Sequence, residues 1–99
     1  MRPDDRPIKT DRYPVKDVAD ELLIYDAERG KVHVLNATTR EIYQRCDGRH
    51  SIDDLVRALE ADFEVDEATA RKDTVEVLER LVGLEIVRID AEAGPPAGS

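Results

Sequence analysis

The chain predicts an α+β domain in which a β-hairpin feeds a helical bundle. Three observations carry that expectation. Between Gly30 and Gly48 a strand pattern, Lys31 to Leu35, passes into a helix pattern with almost no loop, and Ile42, Tyr43 and Cys46 then fall at helical spacing. Upstream, Glu21 to Tyr25 reads ELLIY and is joined to Lys31 by Asp26 to Gly30, a loop that ends in glycine as hairpin loops do. Downstream, two further amphipathic stretches each begin at a capping residue, Ser51 and Asp66.

In chain order, residues 1–12 are charged and carry Pro3 and Pro7, a composition expected to be a flexible lead-in from which only Ile8, or Tyr13 just beyond it, has reason to pack. Val15 to Val18 is a short strand candidate. With Tyr25 opposite Lys31 across the hairpin, Leu22 and Ile24 share a face with Val32 and Val34. Leu23, Tyr25, Lys31, His33 and Leu35 then form the other face, which is only partly polar and so has reason to meet something. The first helix starts at Asn36 or at Thr38, which makes a capping-box pattern with Glu41, and Asp47-Gly48 stops it. In the second, Asp53 and Asp54 suit the helix dipole, and Ile52, Leu55, Val56, Leu59 and Phe63 form one stripe. In the third, the apolar positions spread over roughly half the circumference, more than one packed neighbour requires. Glu85 to Ile89 is a short apolar stretch that can dock as a strand or carry the chain across the core, and residues 90–99 read as a disordered tail after a domain spanning 13–89.

Ninety-nine residues support one modest core. Fifteen basic against twenty-three acidic residues leave a net charge of -8, which repels a duplex, and four aromatics without Trp offer no platform for stacking bases. The lone Cys46 sits on an apolar stripe and reads as a buried hydrophobe. Without a signal peptide, a membrane-length apolar run or a disulfide, the expected location is the cytoplasm, with no membrane partner. His33 and His50 are isolated, the acidic residues fit caps and a solvated face rather than a calcium loop, and there is no phosphate loop, nucleophile elbow or zinc pattern. The expectation is no enzyme, no metal and no cofactor. What remains is binding, for which the edge of the strand Lys31 to Leu35 and the wide arc of the third helix are the natural walls of a groove for an extended peptide. The same edge can instead be covered by the N-terminal segment or by Glu85 to Ile89.

The pieces LLIYDAERGKVHVLN, TTREIYQRCDG, SIDDLVRALEADFEVD and KDTVEVLERL, in that order over about residues 13–87, resemble the PqqD-like family, the pyrroloquinoline quinone synthesis protein D type of peptide recognition element. The resemblance implies a three-stranded antiparallel meander followed by three helices in a winged helix-turn-helix arrangement. It also implies capture of the leader of a ribosomally made precursor peptide for a modifying enzyme, often a radical S-adenosylmethionine enzyme. Carried over by position, the peptide-binding residues are Lys31, Val32, His33, Val34 and Leu35 on the strand and Ala70, Asp73, Thr74, Val77 and Leu81 on the third helix. Family members place Gly-Leu shortly after that helix, where Glu85-Ile86 stands here. As a separate small chain it is expected to act in trans, as a monomer or, through its own strand edge, a weak homodimer. The rival reading, a winged-helix DNA-binding regulator, meets a third helix in which Asp66, Glu67, Asp73, Glu76 and Glu79 outnumber Arg71, Lys72 and Arg80. A second rival is a scaffold whose acidic surface docks a basic partner.

Overall fold

A computed structural model describes residues 1–19 and 21–90. The strands are β1 (Arg6–Lys9), β2 (Val15–Val18), β3 (Glu21–Asp26) and β4 (Lys31–Leu35). The helices α1 (Ala37–Gln44), α2 (Ile52–Phe63) and α3 (Glu67–Gly83) follow, and β5 (Val87–Asp90) comes last. β2, β3 and β4 form the expected antiparallel meander, while β1 and β5 pair with each other in a second, two-stranded sheet.

The hairpin register differs from the expectation by one residue. Lys31 stands opposite Asp26, so Tyr25 meets Val32, Ile24 meets His33, Leu23 meets Val34 and Leu22 meets Leu35. A one-residue slip exchanges the faces of a strand. The buried face is therefore Leu22, Ile24 and Leu35, joined by Asp26, while Leu23, Tyr25, Val32 and Val34 share the outer face. Asp26 is the reason. It has no exposed surface, and its carboxylate accepts the backbone N–H of Arg29 (3.1 Å) and the Arg29 guanidinium (2.9 Å). A buried carboxylate so satisfied fixes the turn from within.

Helix ends are set locally. Asn36, not Thr38, caps α1, its side chain accepting from Thr39 N–H at 3.0 Å, and the Thr38–Glu41 capping box is replaced by an Arg45–Glu41 ion pair. Ser51 and Asp54 form a reciprocal capping box on α2, and Asp66 caps α3 by accepting from Thr69 N–H (2.8 Å). α3 closes in a Schellman arrangement, with Ile86 N–H bonded to Leu81 O and Glu85 N–H to Val82 O, each at 3.0 Å. That motif needs a left-handed residue, and Glu85 supplies it at φ 63°. It stands where the family's glycine is expected.

The N-terminal segment, expected to be flexible, carries β1 and is bonded to the helical region at several points. Ile52 N–H and Asp53 N–H, two donors that the first turn of α2 leaves without helical partners, bond to Asp5 O (2.9 Å) and Pro3 O (3.0 Å). Gly48 N–H bonds to Pro7 O and Lys9 N–H to Cys46 O. Acceptors are what proline still offers, so a Pro-rich strand serves here without an orphaned donor. The tail expected from residue 90 onward lies outside the described residues, apart from Asp90 at the end of β5. The core unites Leu22, Ile24 and Leu35 with Ile42, Tyr43 and Cys46, the stripe Ile52, Leu55, Val56 and Leu59, and Ala70, Leu78, Leu81, Ile86 and Val87. Phe63, expected on the α2 stripe, is exposed. Cys46 is buried, and desolvation pushes its thiol up to about 12.

Candidate functional site

β4 ends the order β2, β3, β4, and among the described residues no strand pairs with its outer side. The two segments expected to compete for that edge, the N-terminal one and Glu85 to Ile89, are occupied with one another as β1 and β5. Which groups of β4 are free follows from alternation. Tyr25 N–H bonds to Pro14 O at 2.9 Å on the β2 side, so Ile24, its neighbour, turns its backbone groups toward β4 and His33. Along β4 the backbone groups of Lys31, His33 and Leu35 consequently face β3. Those of Val32 and Val34 face outward, two N–H donors and two carbonyl acceptors without a strand partner.

The side chains of the same two residues lie on the outer face, where Val32 is 49% and Val34 47% exposed, beside Tyr25 at 58%. Pro14, Val15, Lys16, Leu23, Tyr25 and Val32 line a depression of about 420 Å³ there. Reasoning from sequence missed this apolar face because it set the register one residue off. The signal that marks it is Asp26 followed three residues later by Arg29, an Asx-type turn that makes Asp26 the closing residue of the hairpin.

On the inner face Leu35 is buried and His33 is half-buried, its Nε2 3.1 Å from Asp26 Oδ2. Burial alone would raise the Asp26 carboxyl, yet hydrogen bonds from His33 and Arg29 bring it down to about 2. Arg29 also donates to Tyr13 Oη (3.2 Å), which holds the segment before β2 to the hairpin.

Of the helical candidates, Ala70, Thr74 and Leu81 have no exposed surface and belong to the stripe that packs α3 on the core; Asp73 and Val77 are half-buried. Thr74 Oγ1 is a buried polar atom without a hydrogen-bond partner among the described residues, a condition that costs about 1–3 kcal/mol. At about 100° per residue, Arg71, Val75 and Val82 lie on the α2 side of that stripe, and Arg71 there reaches Asp53 at 2.8 Å. Asp73, Val77 and Leu84 lie on the opposite flank, away from α2. The two sets of candidates are joined by α1, which packs on β3 and β4 and also on α3. Leu84, part of the wide apolar arc of the third helix, is half-buried on the same flank.

The helical region is acidic. Between residues 36 and 84 there are twelve acidic and seven basic residues. Arg71 is tied to both Asp53 and Glu67, and no basic face suited to phosphate is left on α3. Among the described residues no group of His, Cys, Asp and Glu is placed to hold a metal, and no helix is long and apolar enough to cross a membrane.

A comparison with curated proteins gives no match. Among solved structures the chain is similar to one described as TbiB1 in complex with the TbiA(beta) leader peptide, at 20% identity and a TM-score of 0.71, covering 86% of this chain and 96% of that one. At that identity the likeness is one of fold: a small antiparallel sheet followed by three helices. The family model for coenzyme PQQ synthesis protein D matches residues 21–87, from the first residue of β3 to the first of β5. The chain belongs to the PqqD family.

Proposed function

We propose that this chain is a non-catalytic recognition element in the cytoplasm. It captures the leader of a ribosomally synthesised precursor peptide by strand addition to β4 and presents it to a modifying enzyme, a radical S-adenosylmethionine enzyme being the type the family suggests. The carrying observation is the open edge: β1 and β5 satisfy each other, and among the described residues no strand takes up the backbone groups of Val32 and Val34. Membership of the PqqD family supports the reading, as does a fold shared with a protein solved with a leader peptide bound. The strand Lys31 to Leu35 is the first wall. The second is the flank of α3 that carries Asp73 and Val77, with Ala70, Thr74 and Leu81 behind it as the packing that holds the helix in place.

The test is an amide NMR titration with the leader of a precursor peptide encoded nearby and a scrambled leader as control. Shifts at residues 31–35 and around Asp73 and Val77, saturating with the native leader alone, are expected. Val34→Asp places a charge on the outer face without touching the β3 ladder and should abolish binding while the spectrum stays folded. If Val34→Asp binds the leader as well as the parent does, capture at this edge is wrong.

A further inference from the structure

The β4 edge also specifies what the captured peptide must look like, an inference that rests on the peptide-capture reading. Both residues with free backbone groups, Val32 and Val34, carry their side chains on the outer face. In an added strand the residues beside Val32 and Val34 are two apart, and their side chains fall on that same face whichever way the peptide runs, because neighbouring strands keep their pleats in step. The intervening residue turns inward toward His33. On the outer face the two peptide side chains meet valines that are half exposed, with Tyr25 directly behind Val32 and Leu23 behind Val34. Val32 itself forms one wall of the depression that Leu23, Tyr25 and Pro14 also line. No acidic side chain lies among these apolar neighbours, although the molecule carries -8 overall.

We infer that the ligand of this edge is an extended segment with two apolar, β-branched or aromatic residues at positions i and i+2 that cover Val32 and Val34 on the outer face. Apolar cross-strand pairs are the unit of stabilisation in a sheet. The outer pair therefore adds selectivity to hydrogen bonds that are blind to sequence.

The probe is a displayed library of random twelve-residue peptides, selected on the parent chain, with every binder then measured on Val32→Pro. Proline there removes an edge donor that the hairpin does not use, so β3–β4 pairing survives. Val32→Thr/Val34→Thr keeps every backbone donor and the β-branched shape, and is the second variant. Edge-dependent binders are expected to share the i, i+2 apolar pair. Replacing that pair by Ser should weaken binding to the parent about tenfold, and the replacement should cost almost nothing on the Thr/Thr chain. Binders that need the edge yet lose nothing from the Ser replacement overturn this inference and leave peptide capture standing. Binders indifferent to Val32→Pro, or a library without binders, overturn peptide capture at β4 and this inference together.

Discussion

β1 and β4 are both short border strands, and they meet opposite conditions. β1 pairs with β5 on one side and on the other gives its carbonyls and amides to Cys46, Gly48 and, through Asp5, to the first turn of α2. Its Pro7 is buried, and Ile8 lies against Gly48. Among the described residues β4 pairs with β3 alone, and it turns two valines to solvent. The difference separates two conditions of an edge: one closes the helical bundle, and the other, under the proposed function, receives a strand from elsewhere at the risk of unwanted pairing.

Substitutions on the two sides sharpen that contrast. The largest effect belongs to the closed side. Ile86→Ala removes a buried side chain at the α3–β5 junction and should lower the unfolding free energy by about 2–5 kcal/mol in urea titration, whereas Val34→Thr on the open side should change it by less than about 0.5 kcal/mol. Equal losses would mean that the β4 edge is structural after all. Next comes Gly48→Ala. Gly48 holds φ 79°, and an added Cβ would stand 3.1 Å from Ile8 Cδ1, so a loss of about 1–2 kcal/mol is expected, read from the same titration.

A gain is expected at Glu85, which holds a left-handed conformation at the end of α3. Glu85→Gly relieves that strain and gives back part of it as chain entropy, for a net stabilisation of about 0.5–1 kcal/mol seen as a higher thermal midpoint. A lower midpoint would show that the Glu85 side chain matters more than its backbone.

The last contrast is read against pH and compares carboxylates from the two sides. Burial raises Asp26 beside β4 and Asp47 beside β1, but hydrogen bonds from His33 and Arg29 to the first, and from Arg49 and His50 to the second, bring each from 3.8 to about 2. Lowered carboxyls stabilise the folded state above about pH 4, and that stabilisation is lost as pH falls from about 4 to about 2. Urea midpoints measured from pH 5 to pH 2 should fall for the parent chain and fall less for Asp26→Asn/Asp47→Asn; parallel curves would remove both carboxylates from the account.

The elements were legible because their signals are local. Asn36, Ser51 and Asp66 each cap a helix through a donor three residues ahead, and the α2 and α3 stripes are periodicities within one segment. Glu85 to Ile89 was legible only as an apolar stretch that docks as a strand or crosses the core; the strand Val87–Asp90 and its pairing with β1 were not. Of the candidate site, the strand was placed from its own pattern, while Ala70, Thr74 and Leu81 could not be told from Asp73 and Val77, since a helical wheel does not say which neighbour covers which arc.

By itself, then, the sequence determined the order and type of the elements from β2 to α3, the acidic character of the helical region and the membership that residues 21–87 declare. The tertiary structure decided the hairpin register, the ordering of the N-terminal strand and the freedom of the β4 edge. Each of these depends on groups far apart in the chain: Tyr13 and His33 around Asp26 and Arg29, Pro3 and Asp5 on the start of α2, and β5 satisfying β1 so that neither covers β4. The free energy of such contacts lies in pairs that no local pattern records.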